Sequence, residues 1–343
     1  MKKSISRYIW TVVLVVMAQG AWAQFDSQVG LYMFTPASFN PAAAGENDLL
    51  RAVASHRMDF VGIENGPQVT NVTADIGFKI KKTHHGAGVR FLNDKTGLWS
   101  NQAFYVRYAY RQHLGKGYLA VGADIGFVNV GFKGSKVNID SITSAFNSQT
   151  QGGKNFWNGG SEEKDPYIPT SDVKGMKIDF GVGAYYSTPT WFVGAAYSHL
   201  SQPKVRFSTD GSGDSQGKET IVKVVGTMYI HGGYNYRLKH HRNWRIRPSA
   251  MVMTDFRSWD VDLTALAEYK DRYRFGLGYR ILGSVNILGS VEIISGLQIG
   301  YTWEIQASNL MREGYGSHEF YLAYGIDVMR PKRTNKYKSI RYL

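Results

Sequence analysis

Residues 272–281 read Arg-Tyr-Arg-Phe-Gly-Leu-Gly-Tyr-Arg-Ile, a strict alternation of charged or small residues with apolar ones. Successive side chains of a β-strand point to opposite faces, so this stretch predicts a strand with one apolar and one polar face. The same period of two recurs in residues 104–114, 259–270 and 297–306. These runs are longer than the roughly five or six residues common in globular strands. The pattern therefore favours a membrane β-barrel over a soluble β-sandwich, whose strands also alternate.

Fourteen segments of this kind are predicted between Leu49 and Met329. Their expected bounds are 49–61, 68–80, 84–93, 100–114, 117–131, 175–188, 190–200, 219–238, 243–256, 259–270, 272–283, 285–293, 296–306 and 317–329. The connections after strands 5, 7 and 13 are long and polar, whereas those after even-numbered strands are tight and often basic. An up-and-down barrel has such unequal rims, with short periplasmic turns and longer outer loops. We therefore predict an all-β, antiparallel transmembrane barrel of about 14 strands, whose longest outer loop is 132–174.

The start of the chain has the features of a secretory signal peptide. Lys2, Lys3 and Arg7 precede an apolar run over 8–18, and Ala21-Trp22-Ala23 forms a small-x-small cleavage site. Residues 1–23 are therefore expected to be removed, and both termini of the mature chain are expected on the periplasmic side. The chain has no cysteine, which excludes a lipid-anchored lipoprotein, disulfides and thiolate catalysis. No later stretch approaches the roughly 18 apolar residues of a membrane helix.

The next segment, 24–48, does not have a strand pattern. Pro36 and the Asn40-Pro41 step interrupt any continuous hydrogen-bond ladder, yet the apolar residues between them need burial. We therefore expect 24–48 to be a periplasmic or plug segment packed in or under the barrel mouth. The barrel itself then covers 49–329, and a basic periplasmic tail covers 330–343.

Positive charge is concentrated on the predicted periplasmic side. Removing the three signal-peptide cations lowers the formal net charge from +13 to +10. The tail contributes six cations without an acidic residue, namely Arg330, Lys332, Arg333, Lys336, Lys338 and Arg341. The predicted periplasmic turns add Lys81, Lys82, Lys116, Lys239, Arg242, Lys270 and Arg272. Such a rim attracts an acidic protein or lipid headgroups, although a merely solvated tail is the open alternative.

No catalytic, cofactor or metal site is expected. The pairs His84-His85 and His240-His241 fall in predicted turns without an Asp, Glu or Cys at ligand spacing. Asp260 and Asp262 share one strand face, where lumen arginines explain them as well as acid–base chemistry; the candidate partners are Arg107, Arg274 and Arg280. The basic composition does not indicate nucleic acid, because the chain has no basic recognition helix.

Two short motifs carry a family resemblance. The first comprises Tyr32, Met33, Phe34, Pro36, Asn40, Pro41 and Gly45, and the second comprises Gly316, Ser317, His318 and Glu319. They resemble the opening motif and the start of the last strand in PorP/SprF outer-membrane proteins of Bacteroidetes. The resemblance covers essentially the whole mature chain.

The resemblance implies a non-enzymatic component of the type IX secretion and gliding apparatus. Its implied partners are periplasmic ring, lipoprotein and peptidoglycan-associated components, a secreted surface adhesin, and outer-membrane lipid, but no nucleic acid. A core secretion component and an adhesin-specific paralogue both remain open. The alternative function is a passive outer-membrane porin or substrate channel, which requires a lumen that 24–48 does not fill.

Overall fold

A computed structural model describes residues 26–46, 49–136, 169, 171–208, 219–281, 283–307 and 314–327. Its strands are β1 Leu50–Met58, β2 Gln68–Ile80, β3 Thr83–Thr96, β4 Trp99–Leu114, β5 Gly117–Lys133, β6 Asp172–Ser187, β7 Trp191–Ser198, β8 Lys204–Ser208, β9 Glu219–Lys223, β10 Thr227–Tyr234, β11 Tyr236–Arg237, β12 Trp244–Thr254, β13 Trp259–Tyr269, β14 Tyr273–Arg280, β15 Ser284–Ile294, β16 Leu297–Gln306 and β17 Ser317–Ile326. The described helical elements are short 3-10 turns at Pro36–Ser38, Pro41–Ala43 and Gly134–Lys136. Among these residues, no helix is long and apolar enough to cross a membrane.

The strands close into one antiparallel barrel. Each barrel strand pairs with its neighbour in sequence, and β1 pairs with β17 from Leu50 opposite Ile326 to Met58 opposite His318. β8 and β9 form a separate hairpin, and β11 continues β10 alongside β12. The barrel therefore has fourteen strands, which confirms the predicted fold class. Closure leaves no barrel edge to aggregate or to face lipid unpaired.

Alternation along the strands separates an apolar exterior from a polar lumen. Every second residue of β4 from Phe104 to Tyr110 is exposed and apolar. The alternate positions Arg107 and Arg111 are buried on the inner face. β13 and β14 repeat this arrangement, with Leu263 and Phe275 outside. In water such an exterior is unfavourable, whereas lipid accommodates it. The sequence period of two thus directly gives the membrane-facing belt.

The two rims differ as expected. We call one rim the short-turn rim and the opposite one the long-loop rim. The short-turn rim has the tight connections 81–82, 115–116, 188–190, 270–272 and 295–296, and the longer connection 235–243. At the short-turn rim, Lys270 and Asp271 both have positive φ, the geometry of a type I′ turn. Strands β3 to β6 have 14 to 17 residues, whereas β13 to β16 have 8 to 11, so one wall rises higher at the long-loop rim.

The predicted start of one strand, 219–238, is wrong. Residues Glu219–Lys223 pair with Lys204–Ser208 in the β8–β9 hairpin, and the barrel strand begins only at Thr227. Gly226 lies against the ring of Tyr197, where a side chain has no room. The hairpin buries Val205 and Phe207 against the tall wall. The alternation of 219–223 therefore belongs to a hairpin rather than to a barrel strand.

The ends of most other strands agree with the predicted bounds to within a few residues. β1 ends at Met58 instead of residue 61, because Phe60 has a positive φ that a strand does not accommodate. Most of the predicted loop 132–174, including 137–168, lies outside the described residues.

Candidate functional site: the plugged lumen

Residues 26–46, which we call the plug, run through the lumen from one rim to the other. Near the long-loop rim, Asp26 accepts hydrogen bonds from His199 and Tyr229 at 2.9 and 2.6 Å. Towards the short-turn rim, the N–H of Gly45 donates to Asp75 at 2.7 Å and its carbonyl accepts from Arg111 at 2.9 Å. The non-strand segment predicted at or in the barrel mouth therefore occupies the full height of the lumen.

The middle of the plug is an apolar core inside a polar barrel. Leu31 and Phe34 have no exposed surface. The ring of Phe34 stacks on Tyr321 at a centroid distance of 5.0 Å, and the ring of Phe39 stacks on Tyr229 at 5.4 Å. These contacts reach β17 on one side and β10 on the other, so the plug bridges the lumen. The apolar residues that the two prolines separate are buried there as the sequence requires.

The Asn40-Pro41 step is held by the side chain of Asn40, which is fully buried. Its carbonyl oxygen accepts from the N–H of Ala42 at 3.0 Å and caps the 3-10 turn Pro41–Ala43. Its amide group donates to the carbonyl of Ala184 at 3.2 Å and lies 3.2 Å from His231 Nε2. A single side chain thus joins the plug backbone to two neighbouring parts of the wall.

Glycines on the inner face of the wall make room for this part of the plug. A side chain at Gly86 would collide with the carbonyl of Ala44, and one at Gly122 with the backbone of Ala42. Gly183 and Gly194 leave space for Asn40 in the same way. Glycine is required because the plug backbone approaches the wall closely. The wall and the plug are therefore complementary in shape along 40–45.

Buried charges connect the plug's first half to the wall. Arg57 Nη2 lies 2.6 Å from Asp59 and 2.7 Å from Glu304, and its Nη1 lies 3.7 Å from Glu319. Glu319 in turn accepts a hydrogen bond of 2.7 Å from the N–H of Gly30. Arg280 also pairs with Glu304 and donates to Gln28. Because buried charges need partners, this network fixes both the plug and the seam between β1 and β17.

The lumen arginines pair differently from the expectation. Only Arg280 pairs with the two predicted aspartates, at 2.9 Å from Asp262 and 3.4 Å from Asp260. Arg274 pairs with Glu268 at 2.9 Å, where Arg245 and Arg247 also converge. Arg107 pairs with Asp124 at 3.3 Å and donates to the carbonyl of Ala37 in the plug. In each case, cross-strand register brings the nearer carboxylate to the arginine.

At the long-loop rim, His199 holds Asp26 of the plug, and the β8–β9 hairpin packs on the inner face of β4 and β5. His199 bonds Asp179 at 2.6 Å through Nδ1 and Asp26 through Nε2. Burial by itself raises the pKa of Asp26, but the charge and hydrogen bond of His199 lower it to about 2. Burial likewise lowers the pKa of His199, but the two carboxylates raise it to about 10. At neutral pH, these groups therefore form an ion pair that anchors the plug.

Little free space is left beside the plug. A cavity beside the plug has a volume of about 20 Å³ and is lined by polar residues, among them Gln28 and Asn71, and by apolar ones, among them Phe39 and Leu92. At this level of the lumen, the cavity beside the plug therefore has room for about one water molecule.

The two ends of the described chain lie at opposite rims. Asp26 is at the long-loop rim, whereas β17 ends beside the start of β1 at the short-turn rim. The expectation of two periplasmic termini does not follow from this path, because the plug reverses the direction of the chain before β1. Residues 1–25 and 328–343 lie outside the described residues.

Most of the predicted motif residues lie in the lumen or at its wall, and His318 is an exception. Tyr32, Met33 and Phe34 belong to the core, and Pro36 starts the first 3-10 turn. Gly45, with a positive φ of 66°, lies against the wall backbone. In the second motif, Gly316 has a positive φ of 83° and leads into β17, and Ser317 is buried. Glu319 bonds the plug, whereas His318 points outward and its Nδ1 lies 2.6 Å from the hydroxyl of Tyr301.

The other sequence candidates are not brought together into a site. The tail residues Arg330, Lys332, Arg333, Lys336, Lys338 and Arg341 lie outside the described residues. His85 bonds Thr83 and Tyr108. Within the described ranges, no group of three metal-ligating side chains converges. Sequence reasoning missed the ion pair of Asp26 with His199, although inward glycines on several strands signalled that something fills the lumen.

Comparison with known proteins identifies a family. Residues 21–324 match the model of the type IX secretion system membrane protein PorP/SprF. No curated protein matches the chain.

Solved structures with similar folds include the Ralstonia pickettii toluene transporter TbuX, at 13% identity and a TM-score of 0.47, covering 90% of this chain and 97% of that one. A Pseudomonas aeruginosa FadL homologue matches at 12% identity and a TM-score of 0.47, covering 84% and 92%. The Acinetobacter baumannii outer membrane protein Omp33 matches at 6% and 0.43, covering 82% and 99%. At these identities and scores, nothing about function follows from the similarity. The family match spans both lumen motifs and nearly the whole barrel, and the chain therefore belongs to the PorP/SprF family of type IX secretion system membrane proteins.

Proposed function

We propose that this chain is a closed outer-membrane scaffold of the type IX secretion and gliding apparatus. Its short-turn rim and basic tail face the periplasm and hold periplasmic ring, lipoprotein or peptidoglycan-associated components, or assist the secretion of a surface adhesin. The barrel acts as the anchor and has no enzymatic role. The observation that carries this proposal is the plug, which fills the lumen and leaves binding at the rims as the function of the barrel.

The charge of the short-turn rim supports a docking role. Seven cationic side chains in its turns are exposed, namely Lys81, Lys82, Lys116, Lys239, Arg242, Lys270 and Arg272. Asp271 at this rim is already paired with Arg245 at 2.7 Å. The six cations of the tail follow directly after β17, which ends at the same rim. The exposed cations of the turns give this rim a positive charge, to which the sequence of the tail adds, and such charge attracts an acidic partner by long-range electrostatics.

Deletion of residues 330–343 tests the partner role. The deleted protein is expected to insert, because β17 and the seam remain complete, but to lose periplasmic partners when it is extracted gently and analysed by mass spectrometry. A full-length variant with the six tail cations changed to Gln should lose the periplasmic partners as well. A matched control with Arg330, Arg333 and Arg341 changed to Lys keeps the charge and should retain them. Equal recovery of partners by all four proteins contradicts the proposal.

Planar-bilayer recordings distinguish the scaffold from a porin. A lumen that the plug spans from one rim towards the other, with a cavity of about 20 Å³ beside it, should give no stable current. Large, stable currents from the unmodified protein would show that the plug leaves the lumen, and the channel function would replace the scaffold function.

A further inference from the structure

The tall wall formed by β3 to β6 extends beyond the membrane-spanning height of the barrel. Outward-facing apolar residues of β5 run from Leu119 to Phe127, and six further residues follow to Lys133. About 9 to 11 tilted residues cross a bilayer's hydrocarbon core. The upper part of the wall therefore lies at the level of lipid headgroups and above it.

The outward face changes character at one level on neighbouring strands. Phe91 of β3 is opposite Phe104 of β4, which is opposite Phe127 of β5, and all three rings are exposed. Two residues higher, the row reads Asn93, Gln102 and Asn129, with Gln102 donating to Asn93 at 3.2 Å. On β3 to β5 the apolar belt thus ends in an aromatic row and is followed by an amide row, whereas β6 has the exposed Met176 at the amide level.

A basic row lies above the amides. Lys95 is opposite Ser100 of β4, and Lys174 of β6 is opposite Gly131 of β5, two residues above the amide level. Lys133 is one step higher on β5, opposite Asp172. We call the outward-facing set of Asn93, Lys95, Ser100, Gln102, Asn129, Lys133 and Lys174 the upper wall. All three lysines are exposed.

The heights of these rows match a lipid headgroup. With about 3.4 Å per residue, the amide and lysine rows lie roughly 7 and 14 Å above the aromatic row along the strands. A strand tilt of about 45° reduces these heights to roughly 5 and 10 Å. The headgroup layer is about 5 to 7 Å thick on each side of the hydrocarbon, and lysine side chains bend towards it. The ammonium groups of Lys95 and Lys174 therefore reach the phosphate level, and that of Lys133 starts one row above it.

The upper wall keeps a net positive charge. Asp172 is its one acidic neighbour in the described rows, and one of its oxygens already accepts from both the N–H and the hydroxyl of Ser135, at 3.2 and 2.7 Å. Three lysines and one aspartate give a net charge of +2. Within the described chain, none of the three lysines forms an ion pair of 4 Å or less. The row is thus available to an anionic ligand.

We propose that the upper wall binds a phosphorylated glycolipid of the leaflet that the long-loop rim faces. The lysines contact its phosphates, the amide row accepts and donates hydrogen bonds to its sugar hydroxyls, and the aromatic row packs on the start of its acyl chains. This ligand class combines anionic groups, hydroxyls and hydrocarbon in the same vertical order as the three rows. The assignment rests on the proposed membrane position of the barrel, but not on its secretion partners.

Binding of lipid A by the purified barrel in neutral detergent micelles tests the proposal. Each lysine near an anionic lipid surface contributes about fivefold in affinity. A variant with Lys95, Lys133 and Lys174 changed to Gln should therefore bind lipid A about a hundredfold more weakly. A matched control with Lys177, Lys204 and Lys223 changed to Gln removes three exposed lysines of β6, β8 and β9 that do not belong to the upper wall, and it should bind as the unmodified protein does. Cooperative thermal unfolding verifies that both variants fold.

Three results would overturn the proposal. The first is equal binding of lipid A by the upper-wall variant. The second is an equal loss of phosphatidylglycerol binding, which would indicate a site for any anionic headgroup. The third is complete displacement by inorganic phosphate, which would indicate a free-anion site. Loss of binding in the control variant alone would also overturn it, because the lipid would then be bound by Lys177, Lys204 and Lys223 instead. No partner protein is present in these lipid-binding assays. If the lipid proposal fails, the tail-deletion experiment therefore still tests the partner proposal on its own.

Discussion

Replacing Asn40 by Ala should release the plug without opening the barrel. The side chain is fully buried, and it has an oxygen that can accept two hydrogen bonds and an amide group that can donate two. The recorded partners are the N–H of Ala42, the carbonyl of Ala184 and Nε2 of His231, and the carbonyl of Ala195 is a more distant fourth at 3.5 Å. None of these bonds belongs to the strand ladder. The substitution therefore acts on the plug alone.

The size of the effect follows from this count. One of these bonds caps the plug's own 3-10 turn and two join the plug to the wall, so at a net contribution of about 1 kcal/mol each they stabilise the capped and docked plug by about 3 kcal/mol. A difference of 1.4 kcal/mol corresponds to a factor of ten in an equilibrium constant, so the population of the undocked plug should rise about a hundredfold. An Asn40→Asp substitution should cost more, because the carboxylate cannot donate to the wall and repels its carbonyl oxygens.

Amide hydrogen exchange measures the effect directly. The N–H groups of Ala43 and Ala44 bond the carbonyls of Asn40 and Pro41 at 3.1 and 3.2 Å, so they exchange only when the plug opens. They should exchange about a hundredfold faster in Asn40→Ala, while amides of the β4–β5 ladder keep their protection. Asn286→Ala is the matched control, because Asn286 is an equally buried lumen asparagine with no recorded bond to the described plug. Exchange that accelerates equally in plug and ladder, or less than threefold in the plug, would refute the reasoning.

Further predictions concern charge and packing. Because the pKa of Asp26 is lowered in the folded protein, its contribution to stability is complete above pH 3.8 and is lost as the pH falls through about 2. Because the pKa of His199 is raised, its contribution is complete below pH 6.5 and is lost as the pH rises through about 10. The melting temperature should therefore fall between pH 6.5 and 10 in the unmodified protein and stay flatter in His199→Gln; parallel curves would contradict this. Arg57→Met removes the cation that Glu304 faces and should destabilise the barrel by at least about 3 kcal/mol in urea unfolding, unlike Arg57→Lys, which should lose less. Gly122→Val should displace the plug backbone and expose the plug to added protease, with the strand content by circular dichroism unchanged; a protected plug would show that the wall yields instead.

The barrel could be predicted from the sequence because membrane-facing strands expose a local signal. Alternation over ten or more residues, as in 272–281, depends only on neighbours in the chain and on the lipid outside. The β8–β9 hairpin could not be separated from the next strand in this way, since 219–223 alternates like a barrel strand. Its partner is a tertiary surface, the inner face of β4 and β5, which no local period encodes.

The lumen contacts were predictable in kind but not in detail. Polar residues on the inner strand faces and the apolar plug segment indicated that the two had to satisfy each other. Which carboxylate meets which arginine depends on cross-strand register, and for this reason Arg274 pairs with Glu268 rather than with Asp260 or Asp262. The pair of Asp26 with His199 joins residues 173 positions apart, and neither lies in a recognisable motif.

The path of the plug also constrains how the barrel is assembled. The plug lies N-terminal to β1, yet it is bonded to Glu319 of β17, the last strand to be synthesised. A closed ring of strands admits no chain from the side, so either the seam closes around the plug or the plug enters end first. A small folded domain fused before Gln24 separates the two routes. Closure around the plug leaves that domain at the long-loop mouth of a native barrel, whereas end-first entry from the short-turn side is blocked by it.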